Sequence, residues 1–315
     1  MSDGIIVTTD LAMKFDHLRP RQDVFDFSAA DAIMDFAEKS KVMVRGHTLA
    51  WNENAPRWLK GMNGAEITRV FDEHIEKVVT RYAGRIQSWD VVNEPFWPDH
   101  QKPFGFRNGP WLEAMGPSYI KRAFTRAYAI DKSAKLCINE AHCEIQNDWG
   151  KGIRPRLLSL VDAMLDQGLP LHAVGLQAHL QPQMDFDDDV FQSYVAELAT
   201  RKVDIYITEM DVNDESFPAN VVNRDLKVAE RYQEFLKRVF TIPAVKMLVT
   251  WQLADKYNGY RNAALAKNPK ATRLPRPLLF DDNLARKPAW DAVAQVLQRW
   301  DVTLAASRRD TVNVW

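Results

Sequence analysis

The amino-acid sequence predicts an α/β fold, a parallel barrel of the (β/α)8 type, and three observations lead to that class. Short apolar runs alternate with amphipathic helical runs along the chain, which is typical of a parallel sheet covered on both faces. Polar clusters follow most of the apolar runs, so the candidate site residues are spread over many strands, as in a closed barrel. In an open doubly wound sheet they would instead gather at one switch point. A chain of 315 residues is also a common length for one such barrel.

Seven strands are predicted, where closure of this barrel type needs eight. Each is a short run rich in β-branched or apolar residues, and most end at polar side chains. The predicted strands are 5–9, 42–44, 86–92, 135–138, 173–176, 204–209 and 245–251.

Helical periodicity fills the intervals between these strands. The first helix begins at Ser28, and Gly84 ends a long apolar stripe. The other predicted helices are 67–82, 119–130, 157–165, 190–199, 225–240 and 288–297, and residues 261–277 are predicted to be a solvated loop. The predicted buried stripe of the first helix is Ala29, Ile33, Phe36 and Ala37.

Composition excludes several classes of function. The net charge is −1 and no basic block occurs, so nucleic acid and anionic membranes are not expected partners. The two cysteines, Cys137 and Cys143, have neither metal-type spacing nor the number that a disulfide framework needs. No apolar run reaches the length of a membrane span, and residues 1–4 lack the features of a signal peptide.

Two strands end on glutamates that suggest a catalytic pair. Glu94 follows the third strand, with Asn93 beside it, and Glu209 ends the sixth. Parallel strands deliver their last side chains to one rim, so these two carboxylates are expected to face each other across a cleft. Such a pair is the minimal equipment for glycoside hydrolysis.

Several motifs resemble those of glycoside hydrolase family 10, the retaining endo-β-1,4-xylanases. They follow the family's order from about Val7 to Val296, each at the end of the expected strand. The motifs are RGHTLAW at 45–51, WDVVNE at 89–94, GLQAHL at 175–180, ITEMD at 207–211, LLFD at 278–281 and KPAW at 287–290. The resemblance implies one catalytic barrel domain over residues 1–300, with an extension of unknown role at 301–315.

The resemblance also implies roles for individual residues. Glu94 matches the general acid/base, Glu209 the nucleophile, and Asn93 the residue that binds the 2-hydroxyl of the cleaved sugar. Gln177 matches the residue that orients the nucleophile. The remaining matches are Lys14, His47, Trp51 and Trp251 around the cleaved sugar, and His179 and Asp211 in binding or supporting positions. Asn139, Asn54 and Tyr260 are further candidates for supporting positions.

The chain departs from the family pattern in its sugar-binding positions. Leu11 follows Asp10 where the family has Glu-Asn, and Asn54 stands where it has glutamine. Gly259 occupies the place of a second tryptophan, for which Tyr260 is a possible substitute. The motif at 139–142 also lacks an aromatic common on the leaving-group side. Preference for an unusual β-glycoside is therefore kept open.

The amino end is another departure. The family's first strand and helix should precede Ile5, yet only residues 1–4 stand there, so the first βα unit is expected to be missing or replaced. One hypothesis is that residues 301–305 add a strand at that gap. Localisation is not predicted.

The sequence thus predicts a monomeric retaining endo-β-1,4-xylanase that acts on xylan or xylo-oligosaccharides without metal or organic cofactor. One alternative is a hydrolase of the same fold that cleaves another β-glycoside, and a second is a carbohydrate-binding relative without turnover. A cluster of aromatic residues after Glu94 could form sugar platforms or a self-packed loop, and the sequence favours neither. The cluster comprises Phe96, Trp97, Phe104, Phe106 and Trp111.

Overall fold

Strands alternate with helices throughout the described part of the chain. The computed structural model describes residues 5–182, 184 and 187–310. These residues group into two compact units. The first unit comprises residues 5–141 and 151–176, and the second comprises 142–150 and the residues from 177 onward.

The first unit contains a parallel sheet in the order β1-β2-β3-β4-β5. Its register pairs Thr8 with Arg45, Arg45 with Ser88, and Asn93 with Asn139. Consecutive strands are therefore neighbours, as right-handed βαβ connections produce. The strands are β1 (Ile6–Thr8), β2 (Met43–Trp51), β3 (Ser88–Asn93), β4 (Lys135–Glu140) and β5 (Ala173–Leu176).

Helices pack on this sheet and on one another, α3 against α4 and α5, and α5 against β3 and β4. A capping box starts α3, because Asn63 accepts from the Glu66 amide and Glu66 accepts from the Asn63 amide. The helices are α1 (Phe15–Leu18), α2 (Ser28–Ser40), α3 (Gly64–Tyr82), α4 (Pro110–Met115), α5 (Ser118–Ile130) and α6 (Asp148–Asp166), of which residues 151–166 belong to this unit.

The predicted buried stripe of α2 was wrong in part. The helix buries Ala30, Met34 and Ala37, whereas Phe36 is 58% exposed. Apolar residues occur on more than one side of α2, so periodicity alone does not fix the rotation of the helix about its axis.

The second unit has a parallel sheet with β7 between β6 and β8. Helix α8 packs on β7, α7 and α10, and it buries Val228, Tyr232, Phe235 and Leu236 among others. The elements are β6 (His179–Leu180), α7 (Asp188–Ala199), β7 (Asp204–Val212), α8 (Val221–Val239), β8 (Val245–Thr250), α9 (Gly259–Lys267) and α10 (Pro288–Asp310).

All seven predicted strands are found, while two predictions about the C-terminal half were wrong. Residues 259–267 form α9, which overlaps the segment 261–277 that was predicted to be a loop. Helix α10 continues through residues 301–305, so they do not add a strand. Among the described residues, no helix combines the length and apolarity that a membrane span requires.

A buried ion network fixes the segments that follow β8. Asp255 is fully buried, and its carboxylate accepts hydrogen bonds from the Leu278 amide at 3.0 Å and from Lys287 Nζ at 2.9 Å. Lys287 also donates to the carbonyl of Arg276 at 2.7 Å, and Arg276 forks onto Asp225 at 2.8 and 2.7 Å. Burial raises the pKa of Asp255 to about 6, although Lys287 favours its charged form.

Replacement of Lys287 is expected to destabilise the fold in a pH-dependent way. Lys287→Met should lower the free energy of unfolding by about 3–5 kcal/mol at pH 8, because Asp255 is left as a poorly compensated buried charge. Loss of the cation raises the pKa of Asp255 further. An acid whose folded pKa is raised is most stabilising at low pH, so the loss should shrink as the pH falls towards 5. Urea unfolding at both pH values measures this difference.

Lys227→Met is the matched control, because Lys227 pairs with Glu230 on the surface, where both side chains are more than half exposed. Its effect should stay within about 0.5 kcal/mol at either pH. Equal destabilisation by Lys287→Met at pH 5 and pH 8 would contradict the assignment of the effect to Asp255.

Candidate active site

In the first unit, β3 and β4 together place Asn93 and Glu94. Asn93 is the last residue of β3 and is buried, and its Oδ1 accepts from Asn139 Nδ2 at 2.8 Å. The Glu94 amide donates to the Asn139 carbonyl at 2.8 Å. The backbone of Glu94 is left-handed, with φ of 48°. Adjacent parallel strands thus hold both side chains at the same end of the sheet.

Arg107 contacts Glu94 and was not singled out by the sequence. Its Nη2 donates to Glu94 Oε2 at 2.6 Å, its Nε donates to the Glu94 carbonyl at 3.0 Å, and it also pairs with Glu53. Arg107 is buried and lies in the irregular segment before α4. Such segments have no periodicity, so no sequence signal indicated this contact.

Glu140 is a buried acid that lies close to Glu94. Its carboxylate accepts from the amides of Ala141 at 2.9 Å and Phe96 at 3.2 Å. Burial raises the pKa of Glu140 well above the usual range, and the charge of Glu94 raises it further. Glu140 therefore favours its neutral form and ties the end of β4 to the segment after Glu94.

A buried set of polar groups joins β2 to β3 around Asp90. His47 Nδ1 lies 2.7 Å from Asp90 Oδ2, and Arg45 pairs with the same carboxylate. The hydroxyl of Thr9, which follows β1, donates to the His47 carbonyl at 3.2 Å and accepts from the His47 amide at 3.1 Å. These contacts fix the backbone and the imidazole of His47 within the sheet.

Lys14 and Trp51 lie together, as predicted, whereas Asn54 lies in the turn that follows. Lys14 Nζ lies 5.1 Å from the centre of the Trp51 ring and 4.0 Å from Asp10 Oδ1. The Asn54 amide donates to the Trp51 carbonyl at 3.2 Å. Asn54 Oδ1 is buried and has no hydrogen-bond partner within the described residues, so a ligand group could supply one.

Most of the aromatic cluster after Glu94 is buried within the first unit. Phe96 and Phe106 are buried and stack at 5.1 Å between ring centres, and Trp111 is buried against Phe15 and Phe71. Of the cluster, only Phe104 is largely exposed, at 80%. Three of the five aromatic residues therefore serve the core.

In the second unit, β7 places Glu209 and Asp211 around His179. Both carboxylates are buried, and His179 lies between them, with Nε2 3.4 Å from Glu209 Oε2 and Nδ1 3.0 Å from Asp211 Oδ2. The Glu209 amide donates to the Gln177 carbonyl at 3.0 Å, which fixes the register at this point. The structure thus brings these four predicted residues together.

Two aromatic residues complete this group. The Tyr260 hydroxyl donates to Asp211 Oδ1 at 3.1 Å, and the Trp251 ring stands at 90° to the imidazole of His179, with 6.5 Å between ring centres. The Trp251 amide donates to the Met210 carbonyl at 3.2 Å. Tyr260 therefore acts on Asp211 through its hydroxyl group.

The electrostatics of this group favour a charged imidazole. Burial alone would lower the pKa of His179, but the adjacent Asp211 and Glu209 carboxylates outweigh burial and raise that pKa well above its usual value. Two buried carboxylates thus share one partly exposed imidazole. Within the described residues, no cluster of three or more His, Cys, Asp or Glu side chains could hold a metal ion.

His179 is expected to be doubly protonated at pH 7.5. Long-range ¹H–¹⁵N NMR of the ring should show protons on both Nδ1 and Nε2, because the raised pKa keeps the imidazolium form at that pH. Asp211→Asn removes one anion and should move the His179 titration to lower pH.

Asp204→Asn, at the start of β7, is the control and should leave the titration unchanged. A neutral His179 ring at pH 7.5 in the unaltered chain is the result that would contradict this charge assignment.

Comparisons with known proteins identify the family of the chain. The chain matches the model of glycosyl hydrolase family 10 over residues 3–296. It is 33% identical to a β-1,4-xylanase of Dictyoglomus thermophilum, over 91% of this chain and 80% of that one. It is 30% identical to endo-1,4-β-xylanase B of Paenibacillus barcinonensis, over 92% of this chain and 88% of that one.

Solved structures give the same result. The native xylanase 10B of Thermotoga maritima aligns with a TM-score of 0.82 and 29% identity, over 94% of this chain and 86% of that one. Xylanase 10B of Thermotoga petrophila, solved with xylobiose, aligns with a TM-score of 0.79 and 28% identity, over 93% of this chain and 85% of that one. The predicted α/β fold of the (β/α)8-barrel type is confirmed by this similarity. With the family model matched over nearly its whole length, the chain belongs to glycosyl hydrolase family 10 and is a glycoside hydrolase.

Proposed function

We propose that this chain is a retaining endo-β-1,4-xylanase that hydrolyses internal xylosidic bonds through a covalent glycosyl-enzyme. The observation that carries the proposal is the burial of Glu209 beside a positively charged His179, since a nucleophile must remain ionised. The names of the relatives, which are xylanases in bacteria of several genera, support xylan as the substrate.

In the first step, an oxygen of the Glu209 carboxylate attacks the anomeric carbon of the bound xylose. The bond between that carbon and the glycosidic oxygen breaks, and Glu94 gives its proton to the departing oxygen. This assignment needs the two carboxyl groups about 5 Å apart, which is the separation typical of retaining enzymes.

In the second step, a water molecule attacks the anomeric carbon of the glycosyl-enzyme. Glu94, now a carboxylate, takes a proton from this water, and the bond between the sugar and Glu209 breaks. Both carboxyl groups return to their initial states, and the two inversions leave the product with the β configuration.

The contacts of Asn93 support its role at the sugar. Because Asn93 Oδ1 accepts from Asn139, the amide has a fixed orientation and presents its NH2 group as a donor. A donor suits a sugar 2-hydroxyl, whose oxygen accepts more strongly as charge develops in the transition state. Asn139 thereby acts on the sugar through Asn93.

Binding of xylose rings is assigned to the residues around Trp51 and Trp251. Lys14 and His47 supply polar contacts near Trp51, and each indole face suits an apolar sugar face. We propose that residues 1–300 form one catalytic domain and that the chain acts as a monomer. Its proposed substrate is xylan or xylo-oligosaccharides.

A hydrolase of another β-glycoside is the second candidate, because of Leu11. This side chain is 50% exposed at a position where the family's asparagine binds the next sugar. An apolar group there favours a ligand with an apolar part over a hydroxyl-rich xylose. Comparison of rates on xylo-oligosaccharides and on aryl β-glycosides separates the two candidates.

The proposal predicts release of reducing ends from β-1,4-xylan that depends on Glu209. Glu209→Ala should lower kcat by about 10⁴-fold or more, since the nucleophile is lost. Proton NMR of the unaltered chain acting on xylotetraose should show the β anomer of the product first.

Glu215→Ala, an exposed position three residues beyond β7, is the matched control and should keep wild-type activity. Xylan hydrolysis that survives in Glu209→Ala would refute the nucleophile assignment, and first appearance of the α anomer would refute retention.

A further inference from the structure

Arg107 is a buried cation that holds Glu94 at two points. Its Nη2 donates to Glu94 Oε2 at 2.6 Å and its Nε donates to the main-chain carbonyl of Glu94 at 3.0 Å. The side chain of Arg107 is only 2% exposed, whereas that of Glu94 is 13% exposed. One guanidinium therefore fixes both the backbone and the carboxyl group of the same residue.

The backbone of Glu94 needs such support. Its φ of 48° lies in the left-handed region, which is strained for a residue other than glycine and costs about 1–3 kcal/mol. This conformation turns the chain sharply after β3, and the direction of the side chain depends on it. A donor on the Glu94 carbonyl stabilises the turned peptide, and a donor on Oε2 fixes the carboxyl group relative to it.

Arg107 is itself rigidly held. Its amide donates to the Pro95 carbonyl at 2.8 Å, and its guanidinium carbon lies 4.3 Å from the centre of the Trp97 ring. The same guanidinium pairs with Glu53. The backbone of Arg107, the flat face of its guanidinium and a second N–H donor are all in contact with other residues. These contacts fix the orientation in which the guanidinium meets Glu94.

We propose that Arg107 is a positioning residue that directs the Glu94 carboxyl group for proton transfer to the leaving oxygen. The assignment rests on the proposed role of Glu94 as general acid. A guanidinium N–H can only donate, and the carbonyl oxygen of a carboxylic acid accepts more strongly than its hydroxyl oxygen. Oε2 is therefore the carbonyl oxygen of the acid form, and the proton is on Oε1. Oε1 therefore gives the proton to the glycosidic oxygen as its bond to the sugar breaks.

Glu53 explains how Glu94 can be protonated beside a cation. A buried arginine without a counterion is unfavourable by several kcal/mol. When Glu94 takes up a proton, Arg107 keeps Glu53, whose side chain is 59% exposed and so remains charged at little cost in solvation. The pair of carboxylates on one guanidinium thus permits Glu94 to change its charge while Arg107 stays in place.

The test compares kcat/KM for two substrates that differ in their need for an acid. A phenyl β-xylobioside needs its leaving oxygen protonated, whereas a 2,4-dinitrophenyl β-xylobioside does not. In Arg107→Lys, kcat/KM for the phenyl substrate should fall about 10–100-fold, since lysine keeps the charge but cannot donate as a fork. The value for the dinitrophenyl substrate should stay within about threefold, and it also reports that the variant is folded.

Arg122→Lys is the matched control. Arg122 forks onto the Asp72 carboxylate in the same unit and does not contact Glu94, so both substrates should keep their wild-type values. Arg107→Ala is a second variant with the same expected selectivity, and Arg107→Lys decides the case if the alanine variant does not fold.

Equal losses for both substrates in Arg107→Lys would show a merely structural role and overturn the proposal, and so would wild-type values for both. A wild-type chain that hydrolyses neither substrate would overturn the proposed function itself, which is a different failure.

Discussion

A charged side chain that is buried without an opposite charge destabilises the folded state by several kcal/mol. Both units of the protein meet this constraint with buried ion pairs. Asp90 on β3 meets Arg45 on β2, and Asp255 meets Lys287 after β8. In each case the pair joins segments that are distant in sequence. These buried ion pairs therefore hold together the strands and loops that surround the candidate site.

The strands and their terminal side chains could be predicted from sequence because they depend on short-range patterns. An apolar run that ends in Asn93 and Glu94 predicts a buried strand with two polar groups at its end, and the structure has β3 ending there. The same reasoning found Glu209 on β7, whereas the resemblance to the family pointed to Asp211. An apolar run and the polar residues that end it are neighbours in the sequence, so this pattern can be recognised in a single sequence.

The contacts between these groups could not be predicted, because they join irregular segments. Arg107 lies 13 residues after Glu94 in a segment without periodicity. The prediction of the buried face of α2 was wrong in part because apolar residues lie on several sides of the helix. Phe36 is exposed, while Met34 is buried. Helix α9 occurs in a segment rich in Lys, Arg and Pro, where composition favoured a loop.

Each unit places one cation between a candidate catalytic carboxylate and a second acid, and the second acids differ. Arg107 lies between Glu94 and Glu53, which is 59% exposed. His179 lies between Glu209 and Asp211, which is buried and also accepts from Tyr260. A solvated second acid keeps its charge while its neighbour takes up a proton, which suits a residue that alternates between acid and base.

The arrangement around Glu209 has the opposite consequence. Both carboxylates raise the pKa of His179, so removal of either one would weaken the charged form of the imidazole. A positive charge on His179 in turn favours a negative charge on the adjacent Glu209 carboxyl group. The exposure of one partner acid and the burial of the other thus place the two glutamates in different electrostatic surroundings, which agrees with the different roles that we propose for them.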